Sequence, residues 1–426
     1  MNTLHSLPGP DDITRVVLPN GITILTRSNF NSPSVFLSGY LTCGAEFDPA
    51  EKLGLANFTA LALMRGTQDN TFQQIFELLE SSGASLGFGA SVHTVSFSGR
   101  ALAEDLSLLL NLLASAVRRP VFPVEQVERL RSQLLTGLAI RAQDTAETAS
   151  LTFDETLFSN HPYGRTEDGY PTTVQAIARE DLVNFHRQQY GPTGMVVVVV
   201  GAVAPHQVVE QVQAVLGDWN NPQQQLPAAY PTAVAPAQTI RIHKPLEGKF
   251  QTDLVLGTLG PHRHSEDFLP ASLGNNILGQ FGMMGRIGDV VREQAGLAYY
   301  ASTSLNAWPF AGSWEVSAGI NPANLERAID LILSELRRFI VEGVTAEELT
   351  DSQANYIGRL PLSLESNAGV SGALLNLERF QLGLDYYRRY ADLVRGVTPD
   401  RVLEASRRYI DPERMVIVSA GPPLAG

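Results

Sequence analysis

The strongest constraint on this chain is a long-period repeat. Asp181-Leu-Val-Asn-Phe-His-Arg-Gln-Gln-Tyr190, followed by Met195-Val-Val-Val, returns as Asp400-Arg-Val-Leu-Glu-Ala-Ser-Arg-Arg-Tyr409, followed by Met415-Val-Ile-Val. Tyr190 to Tyr409 is an offset of 219 and Met195 to Met415 one of 220. A second set keeps the same spacing: Arg118-Arg119 against Arg337-Arg338, and Ser132-Gln133 against Ser352-Gln353. Independent segments sharing one offset make the chain two related halves, and repeats set architecture before any local signal does.

Between the halves runs Asn220-Asn221-Pro222-Gln223-Gln224-Gln225-Leu226-Pro227, continuing from Pro231 to Pro236. It has neither the strand nor the helix period and reads as an extended linker. The expected domains are 1–220 and 239–426, with the linker at 221–238. Apolar alternation in Gly21–Leu25 and Val35–Leu37 predicts strands. Helical periodicity runs through Thr71–Ser81, Leu102–Val117, Val124–Arg141 and Arg179–Gln189, and a strand at Met195–Val200 closes the half. The second half repeats the order, with long helices over Asn324–Glu342 and Ala346–Arg359. Strands and helices interleave without strict βαβ alternation, which predicts an α+β fold.

Bulk properties narrow the function. At 426 residues the chain exceeds one ordinary core. Its 44% apolar and 18% charged residues suit packed domains rather than disorder. A net charge of −13 argues against nucleic acid as a partner. Cys43 is the single cysteine, so no internal disulfide framework exists and a reducing compartment is expected. Met1–Asp12 lacks the basic start and apolar run of a signal peptide. Met195–Val200, the most apolar short run, is far below the ~20 residues of a membrane span. Together these point to a cytoplasmic location.

The most telling chemistry is a loss. Residues 54–67, Gly-Leu-Ala-Asn-Phe-Thr-Ala-Leu-Ala-Leu-Met-Arg-Gly-Thr, have the frame of an inverted zinc-peptidase helix, His-x-x-Glu-His. That chemistry uses two His one turn apart for zinc and a Glu on the same face to take a proton from metal-bound water. Here those positions hold Asn57, Ala60 and Leu61. Alanine and leucine have no lone pair to give, and one asparagine amide does not hold zinc.

The surroundings carry a resemblance. Val16-Val17-Leu18-Pro19-Asn20-Gly21, Cys43-Gly44-Ala45-Glu46 and Leu63-Met64-Arg65-Gly66-Thr67 resemble the N-terminal part of M16 peptidases, the pitrilysin and mitochondrial processing peptidase family. His161-Pro162-Tyr163-Gly164, Glu180-Asp181-Leu182 with Phe185-His186 and Tyr190, and Arg292–Tyr299 extend the resemblance from about residue 13 to 421. It implies the LuxS/MPP-like metallohydrolase fold: two homologous domains, each a mostly antiparallel sheet with helices on one face. It also places a third zinc ligand, a Glu, on the helix Val124–Arg141. Between Arg129 and Gln143 there is no acidic residue, and Leu134, Leu135 and Leu138 are apolar in every register. Ligands and general base are missing together.

What the resemblance leaves is a substrate contact. Arg292 falls at a helix end and Tyr299 on the strand after the turn at Gly296. A guanidinium fork and a phenol could together hold a peptide carbonyl or its oxyanion. The pair is similar to the Arg/Tyr pair that M16 peptidases set opposite the zinc. Helix-dipole and strand preferences alone would also put an Arg and a Tyr there. The glycine run Gly279–Arg286 lacks the Lys-Ser/Thr ending of a phosphate loop. It is similar in place to the glycine-rich loop of the non-metal processing-peptidase subunit.

Other candidates read as structural. His262 and His264, beside Glu266 and Asp267, could chelate a surface metal; the plainer reading is a loop with Ser265 as N-cap of the next helix. His93 reads as an ordinary residue of an alternating strand. His161, His186 and Cys43 show no nucleophile or relay spacing. The expectation is therefore a subunit that is not catalytic alone, with no metal in this chain and zinc in a partner bearing His-x-x-Glu-His. It would form a heterodimer with that partner, or a homodimer in isolation, and bind a peptide or protein substrate. The alternative is a purely structural subunit with no part in proteolysis.

Overall fold

The computed structural model of the protein describes residues 7–424 apart from Ala228 and Met283. The strands are β1 (Thr14–Val17), β2 (Thr23–Ser28), β3 (Ser34–Leu41), β4 (Ser85–Ala90), β5 (Val95–Leu102), β6 (Val196–Gly201), β7 (Ile240–Pro245), β8 (Thr252–Gly260), β9 (Ala298–Ala307), β10 (Gly312–Ile320) and β11 (Val416–Gly421). The helices begin with α1 (Leu55–Ala62), α2 (Phe72–Ser81), α3 (Leu106–Arg118), α4 (Val124–Arg141), α5 (Thr145–Leu157), α6 (Pro171–Ala176), α7 (Arg179–Gln189) and α8 (Pro205–Leu216). They continue with α9 (Phe268–Gly279), α10 (Gly285–Gly288), α11 (Leu325–Glu342), α12 (Ala346–Ser363), α13 (Asn367–Arg379), α14 (Tyr386–Arg395) and α15 (Pro399–Tyr409).

The five strands of the second sheet match β2, β6, β3, β5 and β4 of the first in order, and β1 is an extra edge strand of the six-stranded first sheet. One runs β1-β2-β6-β3-β5-β4, the other β7-β11-β8-β10-β9. In both, the last strand in sequence inserts beside the first long one in parallel, Thr23↔Val196 and Val416↔Ile240, while the other pairings are antiparallel. The repeat at Met195 and Met415 is thus the entry to the same central strand twice. Both strands, Val196–Gly201 and Val416–Gly421, are buried at every residue, as a central strand covered on both faces must be, and so their sequences are continuous apolar runs.

The first compact unit comprises residues 1–138, 165–229 and 361–389. Along β3, Val35, Leu37 and Leu41 point into a core shared with α1, α3, α4, α7 and α8. Ser38, of opposite parity, meets Ser371 of α13, with the two Oγ atoms 2.5 Å apart. The expected helical layer thus covers one face, and a single helix from beyond the linker covers the other. Buried Val370, Ala373, Leu374 and Leu377 make that helix adhere. At ~1.5–3 kcal/mol for each large side chain, the contact is a sizeable part of the unit's stability.

The second unit comprises 139–164, 230–360 and 390–426. Its main core gathers Leu254 and Leu256 of β8, Trp314 and Val316 of β10, and α9, α11 and α15. Its opposite face takes α5, which packs on β11 and β8. Gly257 leaves room for that helix, since a Cβ there would come within 3.0 Å of the Phe153 ring. Neither unit is contiguous in sequence, because each sheet is backed by one helix from the far side of the linker.

Candidate functional site

The helix in the zinc-peptidase frame is present as α1. Its entry is fixed by Asp48, whose carboxylate oxygens accept from the backbone N–H of Gly54 at 2.8 Å and of Ala56 at 2.9 Å. Gly54 sits at φ +95, and a Cβ there would meet the carbonyl of Asp168 at 2.8 Å; the turn therefore calls for glycine. Burial pushes Asp48 up to about 7, against the lowering pull of those backbone donors and of Arg165.

The face that would carry the metal is filled instead. Ala60 is fully buried in the core of the first unit, and Leu61 packs against the same core. Asn57 spends its amide locally: Nδ2 donates to Asp168 at 2.9 Å, and Oδ1 accepts a long 3.5 Å contact from the Ala90 N–H. On α4, Leu134 and Leu135 lie against the core and Leu138 is within it. These side chains do not fit a zinc ion. Among the described residues no group of three or more His, Cys, Asp or Glu is placed to hold a metal.

Arg292 and Tyr299 occupy the ends of one turn in the second unit. Arg292 lies in a single π-helical turn, Asp289–Gln294, with Nη1 3.5 Å from Glu293 Oε1 and the side chain 34% exposed. The turn closes through Gly296 at φ +63, whose N–H donates to the Arg292 carbonyl at 3.0 Å. Leu297 then donates to the Val291 carbonyl, a pair of bonds that satisfies the helix end. Strand β9 follows at the free edge of its sheet. Along β9, Ala298 is opposite Ile320 and Tyr300 opposite Gly319, so Tyr299 is the extra residue of a β-bulge. A bulge re-aims the side chain it carries, and Tyr299 stands 83% exposed.

Its neighbour behaves oppositely. The Tyr300 hydroxyl donates to Asp253 Oδ1 at 2.8 Å, and its ring lies over Gly319. Burial, then the hydrogen bond and charge of Asp253, push the phenol up. Asp253 also accepts from Gln251 at 2.9 Å and from Thr145 of α5 at 2.5 Å. On the same face Glu315 is buried, accepting from Asn306 at 2.8 Å and from Ser313, and burial raises its carboxyl. Sequence reading did not find this polar layer: its members are scattered over four elements, and only the parity of β8, β9 and β10 unites them.

Several expectations are corrected. Ser265 does not cap α9. The N-cap is Asp267, and Ser265 Oγ accepts from the Asp267 N–H at 3.2 Å in a local turn. Asp267 pairs instead with Arg408 at 2.5 Å. His93 is in the turn between β4 and β5, not in a strand, with Nδ1 2.9 Å from Glu46 Oε2. In the glycine run, Met283 lies outside the described residues, Gly282 and Met284 adopt φ +63 and +77, and Arg286 is held by Glu348 at 2.6 Å.

A duplicated α/β scaffold that keeps the helix of a metallopeptidase while filling its metal face with core side chains defines a class: peptidase-like chains without the metal centre. Known proteins give the class its family. Residues 23–166 match the family described as Insulinase (Peptidase family M16), and residues 176–356 the one described as Peptidase M16 inactive domain. The chain belongs to the M16 peptidase family. It is 28% identical to an uncharacterized zinc protease of Mycobacterium leprae over 385 residues, covering 88% of this chain and 84% of the relative. An uncharacterized zinc protease of Streptomyces coelicolor is 26% identical over 408 residues, 94% and 87% of the two chains. A crystal structure titled as the peptidase M16 inactive domain from Pseudomonas fluorescens is 26% identical, with a TM-score of 0.89 and coverage of 97% and 98%.

Proposed function

We propose that this chain is the non-catalytic subunit of a zinc-dependent M16-type peptidase, closing the chamber of a partner that bears His-x-x-Glu-His and zinc. The observation that carries the reading is an asymmetry: the metal face of α1 and α4 is filled with apolar side chains, whereas Tyr299 is bulged out of β9 into solvent. The partner supplies metal, water and base. This chain supplies a guanidinium, a phenol and the unpaired backbone of β9, on which an extended peptide adds as a strand. No helix among the described residues is long and apolar enough to cross a membrane, and we place the assembly in the cytoplasm.

The test is reconstitution with the His-x-x-Glu-His chain that co-purifies from native lysate. Arg292→Ala and Tyr299→Phe should each reduce peptide hydrolysis by the pair by about 10²-fold, the scale of losing one oxyanion or backbone donor. Unchanged hydrolysis in both variants would favour a purely structural subunit, and a chain recovered without such a partner would end the heteromeric reading.

A further inference from the structure

The first unit holds a cavity of about 810 Å³ that the proposed function does not use. It opens between α2 and the first turns of α4, over Gly66 and Val121. Two arginines line it, Arg65 and Arg129, and neither makes an ion pair among the described residues. Arg65 lies over the Phe72 ring at 5.0 Å and donates to Gln133 at 2.9 Å. Burial, and then the nearby charge of Arg129, lower Arg65 from its ordinary range, so the two cations repel. Beside them Phe72 and Phe76 form an aromatic pair 4.7 Å apart, and Phe76 is 41% exposed. The remaining charges on the rim, Glu77, Glu80 and Glu125, are acidic.

We propose that this cavity binds the free C-terminus of a peptide that ends in an apolar residue. A carboxylate between Arg65 and Arg129 relieves their repulsion and forms charge-assisted hydrogen bonds. A terminal carboxylate is one bond from its Cα, so the last side chain falls on the Phe72–Phe76 pair that adjoins Arg65. The three glutamates, with Glu125 one turn from Arg129 on α4, disfavour a peptide carrying further acidic side chains. The residues involved belong to the first unit alone, and the inference does not rest on the peptidase reading.

Fluorescence anisotropy on the isolated chain, with no partner present, tests it with labelled Ala-Ala-Ala-Phe as free acid and as C-terminal amide. The free acid should bind saturably and the amide about tenfold more weakly or less, the loss expected when an ionised acceptor is removed. Arg129→Ala, an exposed position, should weaken the free acid about tenfold with folding unchanged, and Phe76→Ala should weaken acid and amide alike. Equal binding of acid and amide, no saturable binding of either, or full affinity in Arg129→Ala would each overturn the proposal. So would self-association of the chain, seen by sedimentation, that Arg129→Ala abolishes while the free acid fails to bind.

Discussion

Restoring the three signature residues should not restore a metal site. In Asn57→His/Ala60→Glu/Leu61→His, the decisive position is Ala60, fully buried among the side chains of the first unit's core. A glutamate there must insert its arm into filled space, an overpacking cost of about 1–3 kcal/mol. It must also desolvate a carboxylate, several kcal/mol more without a partner charge. The sum, on the order of 5 kcal/mol, reaches the lower end of the ~5–15 kcal/mol that stabilises a domain. Zinc could offset this only with a full ligand set, and Leu134, Leu135 and Leu138 offer no third ligand on α4. The assay is urea denaturation followed by tryptophan fluorescence at pH 8, with zinc content measured after gel filtration. The expected result is a large loss of the midpoint and far less than one zinc per chain. One zinc per chain with an unchanged midpoint would refute the reasoning, because it would mean the core opens without cost where the structure shows it closed.

Three further outcomes follow from named contacts. Asp48 has a folded value of about 7 against 3.8 unfolded, so its contribution is fully present below pH 4 and lost as pH rises through 7. Relative to Asp48→Asn, the wild type should lose on the order of 4 kcal/mol across that window, whatever that variant's absolute stability. Leu374→Ala, at a fully buried position of α13, should cost about 2–5 kcal/mol by chemical denaturation, the range for a buried leucine. Tyr300→Phe removes a hydrogen bond to a carboxylate and should cost about 1.5–3 kcal/mol, whereas Tyr299→Phe should fall within ~0.5 kcal/mol of wild type.

Much of the fold was legible where one local signal decides. The helix Val124–Arg141 forms over the range its periodicity predicts, and the predicted Thr71–Ser81 helix starts on a capping box between Thr71 and Gln74. The duplicated Met-Val strand is central in both sheets. Helices α5 and α13 escaped because what fixes them is tertiary: each covers the second face of a sheet, and alternation along a strand shows only that a face is polar or apolar. Ser38 of β3, a polar residue on the face opposite Val35 and Leu37, is buried against α13. Ser265 had the right type for an N-cap and Asp267 the right place, with Arg408 drawing its carboxylate away.

The candidate site divides the same way. That the metal positions hold no ligands is a statement about residue identity and could be read directly. That the vacated face is packed rather than open needed the structure, since an Asn, an Ala and a Leu would read the same around an empty pocket. Tyr299 and Tyr300 make the complementary case. They are adjacent and chemically identical, and simple alternation would predict only that they point to opposite faces. The extra residue against Ile320 and Gly319 separates them further, leaving one phenol in solvent beside the Arg292 turn and tying the other to Asp253. A tyrosine that serves only packing would resemble Tyr300. The other stands in solvent, which is why the proposed substrate contact names Tyr299 and not its neighbour.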